Sequence, residues 1–299
     1  MANFKLALDW TPNINHIGFF VAREKGFYET VNMQIDISDP SADNYQITPA
    51  KKVELDQADF ALCPTESIIS YRTKQDPFPL LALAALLQED LSAIVVKKDS
   101  GIHSPKDLDG KTYSSYKARY EDAIVKEMIK NDGGQGNLQL VYPEKLGIWN
   151  TLLDGRADAT WIFINWEGVA AEQVDVSLSY FRLSDYNIPY SYSPVIAADA
   201  SKIEANRTRY KQFLHASKQG FLYAQANPEE SVAILSKFIP EYDRHIDLSR
   251  ALEITAPHFG TEDNWGTMEE RKMQVFLNWL EAKELETTAL NLQDLMARL

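Results

Sequence analysis

Three short stretches hold side chains whose types and spacing suit the binding of a small ligand by ring stacking and hydrogen bonds. The first, Asp9-Trp10-Thr11-Pro12-Asn13-Ile14-Asn15-His16, sets an indole close to two carboxamides and an imidazole. Trp10 offers a flat stacking face, and Asn13 and Asn15 each donate and accept hydrogen bonds. The second, Cys63-Pro64-Thr65-Glu66-Ser67, carries a carboxylate, Glu66, beside the hydroxyls of Thr65 and Ser67. The third, WIFINWE, holds Trp161, Asn165, Trp166 and Glu167. Glu167 adds a carboxylate, which accepts from two neighbouring donors of one ligand together. Tyr116 and Tyr190 add ring faces and hydroxyls at low entropic cost, and Tyr120, Tyr186 and Tyr192 lie in the same loops. Plainer roles stand beside these. Asn15 could cap a helix, His16 brace its loop, Glu66 and Ser67 start a helix, Trp161 fill a strand core, and Glu167 serve the helix dipole.

Chemistry that transforms a substrate has thin support. There is no Gly-x-Ser-x-Gly elbow, no phosphate-binding Gly-x-x-x-x-Gly-Lys loop and no His-Glu-x-x-His. His16, His103, His215, His245 and His258 show no ligand spacing, so no metal is expected. The single cysteine, Cys63, excludes an internal disulfide. Its place at a strand-to-helix junction could activate the thiol, but a buried inert thiol is the plainer expectation. Arg119 could neutralise a phosphate or carboxylate, although a solvent-facing arginine before a helix is commoner. No cofactor is expected.

What must position the three stretches is a series of strand, loop and helix. Alternation of Phe4, Leu6 and Leu8 predicts a strand ending at the first stretch, with a helix from His16 to a Gly26 cap. Further strands are expected over Met33–Ile37, Ala58–Leu62, Leu80–Leu87, Leu91–Lys97, Lys111–Ser115, Leu138–Tyr142, Ala157–Phe163, Phe181–Leu183 and Pro194–Ala198. Helices are expected over Tyr45–Val53, from Thr65, over Ser104–Leu108, Glu121–Lys130 and Lys145–Leu153, and then through the tail. In the tail they cover Asn206–Ala226, Pro228–Lys237, Asp247–Thr255, Thr267–Lys283 and Leu290–Ala297. In an open α/β sheet, ligands bind at the carboxyl edge of the strands, which is where the three stretches fall. Extended segments near Leu91 and Pro194 are expected to carry the chain into a second domain and back. The expected division is a discontinuous first lobe, about 1–91 with 195–299, and an inserted second lobe, 92–194.

The chain has 299 residues, 45% hydrophobic, and a net charge of −13, which disfavours nucleic acid and anionic membranes as partners. No apolar run is long enough to span a bilayer. The opening MANFKLALDW enters a strand without a leader pattern. The expected location is therefore cytoplasmic, or periplasmic or cell-surface if a leader has been removed.

The pieces LDWTPNINHIGFFVAREKGFY, ADFALCPTESIISY, SPKDLDGKTY, LLDGRADATWIFINWEGV and NIPYSYSPVIAAD span about residues 4–200. Together they resemble periplasmic-type solute-binding proteins of the two-crossing class. More closely they resemble the branch that binds thiamine pyrimidine precursors and includes the related pyrimidine synthases. The LDW-x-PN-x-xH and W-x-x-x-NWEG runs carry the closer likeness. The resemblance implies an α/β fold of two lobes, periplasmic-binding-protein-like and of type II, with two interdomain crossings and a helical C-terminal region. It implies a cleft that closes on a small heterocycle, and ABC importer membrane subunits as partners if the protein is exported. A monomer is expected. The synthase members place a pyridoxal phosphate lysine just after the third strand and a histidine four residues later. Here those positions hold Cys63 and Ser67, which argues against synthase chemistry. The alternatives are a cytoplasmic enzyme related to the synthases and a cytoplasmic ligand sensor.

Overall fold

The protein is described by a computed structural model covering residues 2–297 and 299. Among these residues, ten strands form two five-stranded sheets. β1 (Ala2–Ala7) buries Phe4 and Leu6 and exposes Lys5 between them, as its alternation requires. β2 (Met33–Ser38) and β3 (Phe60–Cys63) flank it, both parallel to it. β4 (Leu80–Ala85) is buried along its whole length, as its unbroken apolar sequence demands. The chain then leaves this sheet and builds the other from β5 (Ser92–Lys97), β6 (Thr112–Ser114), β7 (Gln139–Val141), β8 (Ala159–Phe163) and β9 (Leu178–Phe181). It returns with β10 (Val195–Asp199), which inserts between β3 and β4.

The strand orders are β2-β1-β3-β10-β4 and β7-β6-β8-β5-β9. β10 runs antiparallel to β3 and β4, and β5 antiparallel to β8 and β9. These are the two strands that arrive from the other lobe. Each enters its sheet from the cleft end, so it runs against the strands that begin at the far end.

The helices are α1 (Ile17–Glu24), α2 (Phe27–Thr30), α3 (Pro49–Glu54), α4 (Thr65–Thr73), α5 (Glu121–Asn131), α6 (Ile148–Leu153) and α7 (Val169–Gln173). The tail adds α8 (Ala200–Ala226), α9 (Pro228–Leu235), α10 (Leu248–Thr255) and α11 (Glu270–Ala282). The α1–α8 contact is backbone against backbone: a Cβ on Gly220 would lie 2.0 Å from the Gly18 carbonyl oxygen. Around it Phe19, Phe60, Phe213 and Phe221 fill the first lobe's core, with Phe60 and Phe213 stacked at 4.0 Å between centroids.

Several elements differ from the sequence expectation. α3 starts at Pro49, not Tyr45, because Asn44 and Tyr45 are both in the left-handed region and delay the helix to a Thr48 cap. α8 begins at Ala200, six residues before Asn206, because the Asp199 carboxylate accepts from the Ser201 N–H and caps it. The ninth strand is Leu178–Phe181, registered on β5, so Leu183 falls in the following turn. The expected last helix, Leu290–Ala297, is only a 3-10 turn (Leu292–Asp294). Beyond it Met296 bridges to Ala82 beside β4.

Candidate functional site

The carboxyl ends of β1 and β3 in one sheet and of β6 and β8 in the other converge on one cavity of about 350 Å³. Ten of the twelve candidate residues line it: Trp10, Asn13 and Asn15; Glu66 and Ser67; Tyr116; Trp161, Trp166 and Glu167; and Tyr190. His16 and Asn165 do not, and the reason is packing behind the wall.

His16 is fully buried. Its Nδ1 accepts from the Asn13 N–H at 3.3 Å, which leaves Nε2 to donate to Asp9 Oδ1 at 2.8 Å. Asn13, not Asn15, is the cap of the short turn Ile14–His16, and its Oδ1 accepts from the Asn15 N–H at 2.9 Å. His16 is thus the brace of the Trp10 loop. Tyr45 extends that brace, its hydroxyl donating to the Asp9 carbonyl at 2.5 Å.

Asn165 is also fully buried. Its Nδ2 donates to Asn15 Oδ1 at 2.7 Å and to Thr255 Oγ1 at 2.8 Å, joining the turn after β8 to the loop after β1 and to α10. That leaves Asn15 Nδ2 without a protein acceptor among the described residues, at the cavity wall.

After β8 the chain makes one turn of π-helix, Ile164–Gly168, a form frequent at functional sites. The wider turn lets Glu167 fold back, its Oε2 accepting from the Phe163 N–H at 3.0 Å. Glu167 therefore caps its own turn and lines the cavity as well. Burial pushes its carboxyl up to about 7, against the lowering effect of that hydrogen bond.

Glu66, in the first turn of α4, is 5% exposed, and among the described residues no side chain or N–H bonds its carboxyl. Burial pushes it up to about 8, and repulsion from Glu121 adds to this. Pro64 holds the N-cap position, and the Thr65 hydroxyl donates to the Tyr192 carbonyl at 2.7 Å. The Cys63 thiol is buried, and burial raises its pKa despite the helix start nearby, so it is not an activated nucleophile.

Rings make most of the remaining wall. Trp10 meets Tyr45 at 5.7 Å and, across the cleft, the edge of Tyr116 at 5.8 Å. Trp161 meets Tyr190 edge-on at 5.3 Å, and Tyr190 leans in turn on Phe276 of α11 at 5.4 Å. Tyr120, Tyr186 and Tyr192 lie outside the lining. Tyr120 instead donates to Glu286, while the Tyr192 hydroxyl accepts from the Glu269 N–H.

Asp9, Tyr45, Tyr71, Glu121 and Lys145, none of them a candidate from the sequence, also stand in the wall. Lys145 lies 4.7 Å over the Tyr45 ring, and burial holds its amine below the usual range. The one available signal was Asn44, a turn residue that could have freed Tyr45 from the helix. Arg119 also lines the cavity, tied to Glu286 at 2.9 Å and to Thr73 of α4.

The model of the NMT1/THI5-like family matches residues 13–231. The chain belongs to that family. It is 25% identical to the formylaminopyrimidine-binding protein of Halalkalibacterium halodurans over 234 residues, covering 77% of this chain and 69% of that one. It is 22% identical to the 4-amino-5-hydroxymethyl-2-methylpyrimidine phosphate synthase of Legionella pneumophila, covering 79% and 73%. Among solved structures, the alkanesulfonate-binding protein SsuA from Xanthomonas axonopodis pv. citri, bound to MOPS, superposes with a TM-score of 0.70. That match covers 96% of this chain and 95% of the other at 12% identity. At that identity the likeness concerns the fold, which is that of periplasmic binding proteins.

Proposed function

We propose that this family member is a solute-binding protein whose lobes close on a small aromatic heterocycle, best matched by a thiamine pyrimidine precursor, for uptake by an ABC importer. The observation that carries the reading is the cavity wall itself. Indole and phenol rings from both lobes enclose a space flanked by Glu167 and Asn15, each with unfilled hydrogen-bonding capacity. Hydroxymethyl- and formylaminomethyl-aminopyrimidine represent this ligand class. Each offers a flat ring to Trp10, an amine and ring nitrogen to Glu167, and a ring acceptor to Asn15 Nδ2.

The two passages between the sheets, after β4 and before β10, form the hinge of a closing motion in this reading. The protein acts as a monomer outside the cytoplasm and hands its cargo to importer subunits. The side chains do not fit pyridoxal phosphate as the synthases hold it. Cys63 and Ser67 line the cavity at the positions that the resemblance assigns to the synthase lysine and histidine, and the lysines in the wall, Lys117 and Lys145, come from the opposite lobe. The test is a thermal-shift panel of pyrimidines. A ligand at about a hundred times its Kd adds about 2.7 kcal/mol of stability and raises Tm visibly. A panel that leaves Tm unmoved removes the pyrimidine assignment.

A further inference from the structure

The acids in the cavity wall are Asp9, Glu66, Glu121 and Glu167, and their oxygens are not equally engaged. Glu121 has both oxygens engaged: Oε1 accepts from the Tyr113 hydroxyl at 2.9 Å and the Tyr116 N–H at 3.1 Å, and Oε2 from the Ala118 N–H at 3.2 Å. Asp9 is held by His16, and Glu167 has one oxygen fixed by Phe163. Glu66 is the exception, a nine-tenths buried carboxyl with neither oxygen filled by a described residue.

The basic groups of the wall do not serve it. Arg119 is tied to Glu286 and Thr73, Lys145 lies over Tyr45, and Lys117 lies 5.3 Å from the Tyr142 centroid. The ionisable group acting most on Glu66 is another acid, Glu121 of the opposite lobe. A buried acid facing a second acid, with no cation of the protein beside it, is stabilised by a cation brought from outside.

Resting on the pyrimidine reading above, we infer that Glu66 is a specificity residue that receives a primary ammonium group carried on the ring of the guest. The preferred ligand is then an aminomethyl-substituted aminopyrimidine over its hydroxymethyl or formylated analogues. The division of labour between the two free acids follows from their anchoring. Glu167, pinned by a backbone N–H, has the fixed orientation that a planar amine-and-nitrogen edge requires. Glu66, unpinned, suits an ammonium, whose three donors impose no plane.

Calorimetry near neutral pH would compare 4-amino-5-aminomethyl-2-methylpyrimidine with its 5-hydroxymethyl analogue, and benzylamine with benzyl alcohol, on the wild-type chain and on Glu66→Gln. The inference requires the amine to bind at least about tenfold tighter in the wild type, and the ratio to fall to within about twofold in Glu66→Gln. Equal affinities in the wild type, or a ratio unchanged by the substitution, overturn it. The wild-type comparison stands even if the variant folds poorly. Pyrimidines that bind without an amine preference sink the Glu66 assignment alone. A benzylamine preference lost in Glu66→Gln, with no pyrimidine binding, sinks only the pyrimidine reading. No binding by any of the four compounds sinks both.

Discussion

Replacing Glu167 by glutamine separates a titrating contact from a fixed one. In the proposed complex a single proton lies between the Glu167 carboxyl and a ring nitrogen, while the same carboxyl accepts from the exocyclic amine. Burial sets the free carboxyl at about 7. Below that pH it is already protonated and donates its O–H to the ring. Above it, binding must draw a proton from solvent, so affinity falls toward tenfold per pH unit. Between about pH 7 and about pH 8.5 the protonated fraction drops from about a half to about 3%, which weakens binding roughly fifteenfold. A glutamine carboxamide keeps the same pattern without titrating. Its oxygen takes the Phe163 N–H and its Nε2 donates to the ring, so the variant's affinity stays flat. Calorimetry with the hydroxymethyl-aminopyrimidine measures this, best in a Glu66→Gln background that removes the second acid titrating nearby. A wild-type affinity constant across the range, or the same fall in Glu167→Gln, rules out a titrating Glu167 contact with the ligand.

Other substitutions test the scaffold. Trp10→Ala removes the stacking face and lowers pyrimidine affinity about tenfold or more by calorimetry, while the half-buried indole costs little stability. Gly220→Ala drives a Cβ into the Gly18 carbonyl and destabilises the chain by about 3 kcal/mol, read from denaturant midpoints. Glu286→Ala strips the shared acceptor from Thr73, Tyr120 and Arg119, a contact between the tail, α4 and the loop after β6, and costs about 3 kcal/mol. Unliganded stability falls as pH rises from about 4.5 to about 8. Glu66 and Glu167 titrate higher in the fold, at about 8 and about 7, than the ordinary 4.5 of the unfolded chain, so the fold binds the extra protons. Glu66→Gln flattens that slope in thermal scans.

The ordering of strands and helices was legible because alternation and apolar runs are local. Lys5 between Phe4 and Leu6, or the unbroken LLALAA of β4, decides a strand without reference to the rest of the chain. Trp10, Glu66 and Glu167 were legible for a related reason: each follows a strand end, and strand ends in such sheets face ligands. What escaped depends on distant packing. Asn165 carries the same polar group as Asn15 but is sealed behind the wall by Thr255, ninety positions further on. His16 looked like a ligand group until Asp9 and Asn13 claimed both its nitrogens. Lys145 and Tyr71 meet the cavity only because the two lobes approach, a relation no local pattern encodes.

In the proposed function the cavity grips a planar nitrogen heterocycle and returns it unchanged. The most direct measurement is calorimetric titration with an aminopyrimidine, followed by release of the bound fraction and its identification by mass spectrometry. The expected result is saturable binding of one molecule per chain, recovered at its original mass. No heat with any pyrimidine, or recovery of a chemically altered product, would contradict it.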